Sequence, residues 1–295
     1  MFLGIEIGGS KLQLAVGNAD GQLRGTWRGS VDLAAGSEGI RRQILDAVPE
    51  LLQTLGLEPS TLQAVGVGFG GPTDDTSHTV ITSHQVFGWD NFPLAAWLTE
   101  HLGLPAFVCN DADVAGLGEA LHGAGRGKSP VFYVTVGSGI GGGLILDGTI
   151  YRGVGRGAAE IGHLLLDGVH TTEDLASGFG IMKYVSGEGL PFKTARELGV
   201  AVQARQPDAL DVLGRAIDGL AVALTHVVTL LCPKVIVIGG GVSLIGETHF
   251  FAPLREAVAR RTFKPFAGLT EIVPAALGEE VVLHGALALA KRGVA

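Results

Sequence analysis

Residues 131–153 read VFYVTVGSGIGGGLILDGTIYRG. An apolar run enters a glycine turn, a second apolar run follows, Asp147-Gly148 gives a hairpin signal, and a third short run closes the stretch. Residues 2–33, FLGIEIGGSKLQLAVGNADGQLRGTWRGSVDL, follow the same grammar: strand, glycine turn, strand, Asp20-Gly21, strand. The two stretches lie about 130 residues apart and share pattern more than identity. A duplicated strand–turn–strand–turn–strand unit predicts two similar lobes. Helical patterns fill the intervals. SEGIRRQILDAVPELLQTLG (37–56) puts Ile40, Ile44, Val48, Leu51 and Leu55 on one face, with Pro49 as a kink or restart. FPLAAWLTEHLG (92–103), PDALDVLGRAIDGLAVALTHVVTLLCP (207–233) and GEEVVLHGALALAK (278–291) are the others. Alternating strands and helices predict an α/β fold. The expected division is a smaller lobe over residues 1–115 and a larger one over 116–278, with the last helix, 279–295, returning to the first lobe.

The chain has 295 residues, 46% hydrophobic and 17% charged, a globular composition. Its net charge of −8 disfavours non-specific binding to nucleic acid or anionic membrane, and the densest basic stretch, RRTFK (260–264), is short. The two cysteines, Cys109 and Cys232, form no CxxC pair, which argues against a disulfide framework and a cysteine-built zinc site. The N-terminus lacks the pattern of a signal peptide. LAVALTHVVTLLC (220–232), interrupted by Thr225 and His226, reads as a buried helix and not a membrane span, so the cytoplasm is the expected location.

Glycine is the outlier, with 47 residues against an ordinary share of about 7%. Two segments satisfy GxGxxG, GVGFGG (66–71) and GSGIGG (137–142). The dinucleotide reading needs a helix next, and neither has one. The spacing of a Walker A loop is also absent. What remains is a glycine hairpin whose N–H groups could cradle an anion, with Ser10 or Ser138 adding a hydroxyl, or else a plain tight turn. Two matching hairpins favour a nucleotide held between lobes.

Acidic residues appear where apolar strands end. In VCNDADV (108–114), Asp111 and Asp113 read either as a base or as helix caps, with Asp113 the better cap. Glu6, inside GIEIGG, calls for a partner: a magnesium ion reached through water, or a salt bridge. Lys11 reads as a phosphate neighbour or a surface residue.

GIEIGGSKLQLAV (4–16), GFGGP (68–72), NDADVAGLGEA (110–120), VTVGSGIGGGLILDG (134–148), RGAAEIGH (156–163) and VIVIGGGV (235–242) occur in an order that resembles the ROK family (repressor, open reading frame, kinase). The resemblance implies the two-lobed, ribonuclease H-like fold of the actin, sugar-kinase and heat-shock ATPase superfamily. It also implies an ATP-dependent sugar kinase with Mg²⁺. With the first phosphate motif at the start of the sequence, the helix-turn-helix of the repressor branch is not expected. By resemblance, Gly8, Gly9, Ser10 and Lys11 form the first phosphate loop, and Gly137, Ser138 and Gly139 the second. Gly239, Gly240 and Gly241 approach the adenosine. Asp111 takes the proton of the sugar hydroxyl, and Asn110 beside it orients that hydroxyl. Gly70, Gly71, Glu160 and His163 hold the sugar.

The sequence departs from the family at two places. A loop with three zinc-binding cysteines usually follows the Gly-His, but here LLLDGVHTTEDLASG follows, with no cysteine, so no structural zinc is expected. Glu173 keeps the spacing of a further sugar-binding glutamate, four residues before Ser177-Gly178. Gln85 stands where the family often has an asparagine ahead of a Gly-Trp, here Gly88-Trp89. The expected activity is phosphorylation of a hexose, foremost glucose at its 6-hydroxyl. N-acetylhexosamine kinase, fructokinase and a non-catalytic sugar sensor are the alternatives, and a homodimer is the family expectation.

Overall fold

The computed structural model describes residues 1–18, 20–74 and 76–294. Strand β1 (Phe2–Ile7) is buried along its whole length and pairs antiparallel with β2 (Lys11–Gly17), which pairs antiparallel with β3 (Leu23–Ser30). Helix α1 (Gly36–Leu55) then crosses to β4 (Val65–Phe69), which lies parallel to β1. Pro49 sits within α1, one continuous helix. A short hairpin, β5 (Thr73–Asp74) with β6 (Thr79–Val80), and α2 (Leu94–Leu102) lead to β7 (Ala106–Asn110), parallel to β4. The sheet order is β3-β2-β1-β4-β7. Helix α3 (Asp111–His122) follows β7 without an intervening loop.

The second sheet repeats this plan. Its strands are β8 (Val131–Val136), β9 (Ile140–Leu146), β10 (Thr149–Ile150), β11 (Val235–Gly239) and β12 (Glu271–Pro274), in the order β10-β9-β8-β11-β12. β11 is parallel to both β8 and β12. The duplicated grammar of the sequence is thus a duplicated strand order, and the α/β expectation holds. The remaining helices are α4 (Thr172–Ala176), α5 (Gly178–Gly187), α6 (Ala195–Gln203), α7 (Pro207–Leu231), α8 (Ala252–Arg261) and α9 (Val281–Gly293). α7 is long and apolar enough to cross a membrane, yet 61% of its most apolar window is buried, as in a core helix.

The chain forms two compact units. One comprises Met1–Gly127, Gly143–Ala158 and Ala276–Ala295, and the other Lys128–Gly142 and Ala159–Ala275. In the first, alternation along β1 and β2 sends Leu3, Ile5, Ile7, Leu12, Leu14 and Val16 into a core shared with Ile40, Ile44, Val48 and Leu51 of α1. The opposite face carries Gly4, Gly66 and Gly68 beside Phe2 and Glu6. A methyl on Gly4 would come 3.1 Å from the carbonyl oxygen of Leu283, and one on Gly66 would come 1.9 Å from that of Ala286. Gly285 returns the relation towards α3, where a methyl would lie 1.8 Å from the Val114 oxygen. Backbone therefore meets backbone where α9 crosses β1, β4 and α3, which only glycine permits.

Gly66→Ala and Gly285→Ala are each expected to lower unfolding stability by about 1–3 kcal/mol through overpacking, measured by urea titration. Gly214→Ala, in α7 with open space beside it, should cost nothing or add up to about 1 kcal/mol. Equal behaviour at all three sites would refute the close-packing account.

Candidate functional site

In the first unit, β1 ends in a turn closed by the Gly8 N–H donating to the Lys11 carbonyl at 3.0 Å. Gly70 donates to the Ile7 carbonyl at 2.8 Å, joining the end of β4 to the end of β1. β7 ends beside them at Asn110, whose side chain is the N-cap of α3. Its Oδ1 accepts from the N–H of Ala112 at 2.9 Å and of Asp113 at 3.4 Å. Its Nδ2 donates to the Gly71 carbonyl at 3.1 Å. Asn110 thus ties the glycine segment 70–71 to the head of α3. Asp111 opens that helix, and a methyl on Gly70 would sit 3.4 Å from Asp111 Oδ2 and 3.6 Å from the Gly8 Cα. Asp111, Gly70 and Gly8, far apart in sequence, form one small locality.

One reading of this segment changes. Asp113 is not the cap, because the residue at the strand end, Asn110, takes that place. Asp113 is instead only 2% exposed, with its carboxylate 3.8 Å from Arg152 Nη1. Burial pulls the Arg152 pKa down to about 10. Burial, and secondarily the charge of Asp113, pushes the Cys109 thiol well above its ordinary range, so this cysteine is no nucleophile. Glu6 also has its partners: Gln13 Nε2 donates to it at 2.7 Å, and Lys11 Nζ lies at 3.1 Å. The charge in mid-strand is compensated by an ion pair with Lys11. Gln85 lies over the first loop, close enough that any side chain on Gly9 would collide with its amide.

In the second unit, the glycine hairpin 137–142 is held from several directions. The Gly137 and Ser138 carbonyls accept from Gly178 at 2.8 Å and Phe179 at 3.0 Å, at the start of α5. Glu173 Oε2 accepts from the Ile140 N–H at 2.7 Å. One oxygen of this expected sugar ligand therefore braces the loop. Gly137 N–H donates to the Gly139 carbonyl at 2.9 Å, leaving the N–H groups of Ser138 and Gly139 without an internal backbone partner among the described residues. That is the arrangement an anion-binding turn needs. Glu160 and His163 flank a short helical turn, Ile161–His163, and both are exposed. That turn packs on the hairpin, since a methyl on Gly162 would lie 2.1 Å from the Ile140 oxygen.

A cavity of about 840 Å³ opens beside the hairpin, walled by Ser138, Phe179, Arg196, Val200, Gln203 and Leu244 among others. It is roomy enough for a nucleoside, and the exposed Phe179, Val200 and Leu244 offer apolar surface to a base. Gly241 lines it. Gly240 reaches φ 84° against the backbone of Val136, and a methyl on Gly239 would lie 2.8 Å from the Tyr133 hydroxyl, so neither position has room for a side chain. The sequence marked these glycines but not the helical walls Phe179, Arg196 and Val200, whose spacing resembles any solvated helix face. Among the described residues no three His, Cys, Asp or Glu side chains group as a metal site.

The model of the ROK family matches residues 2–293. A glucokinase of Halalkalibacterium halodurans is 30% identical over 310 residues, covering 96% of this chain and 93% of the relative. The crystal structure of a ROK hexokinase from Thermus thermophilus superposes with a TM-score of 0.87 at 30% identity, covering 99% of this chain and 98% of that one. A ROK glucokinase from Streptomyces griseus, solved with glucose and AMPPNP, gives a TM-score of 0.81 at 28% identity, with 99% of each chain covered.

Glu173→Ala is expected to weaken AMPPNP binding about tenfold by releasing the Ile140 N–H, measured by calorimetry. An unchanged nucleotide Kd would show that the brace is idle. Exhaustive chelation followed by Mg²⁺ resupply should leave the melting temperature unchanged. A drop restored by zinc alone would reveal a metal-held element.

Proposed function

The chain belongs to the ROK family, and we propose that it moves the terminal phosphoryl group of ATP to a hexose, with glucose as the sugar and its 6-hydroxyl as the acceptor. Sugar kinase chemistry is the coarse statement, and glucose is the finer one. Glucose is supported by the glucokinase relatives and by the glucose held in the Streptomyces griseus structure.

The observation that carries the reading is the Asp111 carboxylate at the head of α3, beside Gly70 and Gly8. Phosphoryl transfer asks the protein mostly for alignment and charge compensation, plus a carboxylate to take the proton of the attacking hydroxyl. In this scheme the sugar 6-oxygen forms a bond to the γ-phosphorus as its proton passes to Asp111. The bond to the β,γ-bridging oxygen breaks, and ADP leaves. Asn110 is the less direct participant: its cap and its bond to Gly71 fix the direction in which Asp111 points. Glu160 and His163 present acceptors and donors suited to vicinal hydroxyls. The free N–H groups of Ser138 and Gly139 suit a phosphate, and the cavity beside them suits the nucleoside. Mg²⁺ would arrive with the triphosphate and neutralise its oxygens, with Glu6, beside Lys11 and Gln13, the acid that could reach it through water.

Asp111→Asn should lower kcat by about 10²–10⁴-fold while the glucose Kd stays within a few fold. Retained turnover would remove Asp111 from the chemistry. Coupled ADP release over a panel of sugars should rank glucose first by kcat/KM. N-acetylhexosamines or fructose ahead of it would reassign the substrate, and sugar binding without ADP release from any sugar would mark a sensor.

A further inference from the structure

Asp113 has no part in the scheme above, yet it is among the few charged side chains buried in the molecule. It lies in the first turn of α3, two residues beyond Asp111. Its side chain is 3% exposed, and that of Arg152, 3.8 Å away, is 15% exposed. Arg152 also reaches the hydroxyl of Thr73 at 3.4 Å, on the strand that follows Gly70 and Gly71. Gly143 presses on the same turn, where a methyl would stand 3.0 Å from both the Ala112 oxygen and the Asp113 Cα. The head of α3 is therefore held by the Asn110 cap, the Gly143 backbone and the Arg152 guanidinium.

Charge balance gives that guanidinium a second importance. In the first unit, Glu6 is matched by Lys11 at 3.1 Å, Asp74 by Arg156 at 3.6 Å and Asp113 by Arg152. Cys109, on the adjoining strand, stays a neutral thiol. Glu119, His122 and His284 gather at the far end of α3. Asp113 is thus a buried carboxylate in the same helical turn as Asp111 with a guanidinium beside it, and a buried carboxylate is costly when a neighbouring cation is removed.

Taking Asp111 as the base, we propose that Arg152 is a positioning residue of the phosphoryl-transfer site: it cancels the charge of Asp113 and fixes the turn of α3 from which Asp111 projects. An uncompensated Asp113 disfavours the ionised form of Asp111, so losing Arg152 moves the acid limb of kcat/KM to higher pH. Losing Asp113 alone leaves a spare cation and moves the limb to lower pH. Losing both returns it.

The test is the pH profile of kcat/KM for glucose in the wild-type enzyme and in Arg152→Gln, Arg152→Lys, Asp113→Asn and the Asp113→Asn/Arg152→Gln pair, with Asp111→Asn as control. Arg152→Gln should shift the acid limb upward by about one pH unit. It should lower kcat about tenfold while changing the glucose KM by less than about threefold. Arg152→Lys should keep the limb near its wild-type position because the charge is retained, and the double variant should restore it. A purely structural role would lower the melting temperature without moving the limb. If Arg152→Gln does not fold, the downward shift in Asp113→Asn and the restored limb in the double variant decide the matter. Coincident acid limbs across the folded variants overturn the proposal. Should Asp111→Asn itself turn over normally, the base assignment fails first, whereas an inactive Asp111→Asn with unmoved limbs elsewhere removes only the role of Arg152.

Discussion

The closeness of α9 to its neighbours is the constraint on which the first unit depends. Gly4, Gly66 and Gly68 share one face of β1 and β4 with Phe2 and Glu6, and α9 settles there until its main chain touches that of Gly4 and Gly66. Gly118 and Gly285 repeat the relation between α3 and α9. Such contacts exclude water and leave no side chain free to slide, so the positions of strand ends and helix starts are set together. Asp111, Gly70 and Gly8 meet because the elements that carry them have no other way to pack.

On that base the glycine loops gain their shape from a few polar side chains that bond to backbone. Asn110 caps α3 and at the same time holds the Gly71 carbonyl. Glu173 takes the N–H of Ile140, and the start of α5 takes the carbonyls of Gly137 and Ser138. Loops with so much glycine would otherwise lose much conformational entropy on ordering. Each such bond confines the loop while leaving selected N–H groups open. Charge is handled in two ways: Glu6, Asp74 and Asp113 each sit near a basic side chain, whereas buried Glu119 accepts from the N–H groups of Ala124, Ala276 and Leu277.

The duplicated strand plan was legible in the sequence because period-two alternation and Asp-Gly turns are local signals. The site was legible where glycine and acid coincide at a strand end, as at Asn110-Asp111. Elsewhere the decisive contact was distant. Asp113 and Arg152 are separated by a whole strand–turn–strand unit, and nothing in NDADV announces an arginine. Choosing Asn110 over Asp113 as cap depends on where β7 stops, which propensity places only to within a few residues. Glu6 carried two readings in the sequence, and its cross-strand partner Gln13, with Lys11, supports the ion pair. The cavity walls stayed hidden because Phe179, Val200 and Leu244 are exposed, and scattered surface apolar residues are ordinary.

The order of synthesis adds a consequence of the face that α9 covers. Roughly 270 residues separate β1 from α9. At ribosomal speeds of about 5–20 residues per second, β1 would wait on the order of 14 to 55 s for the helix that covers it. The waiting surface combines bare backbone at Gly4 and Gly66 with the apolar side chains of Phe2, Leu23 and Phe107, which stay uncovered until α9 arrives. That apolar patch is completed only by Leu287 and Ala290, so the last helix to be made is the one that seals the first sheet.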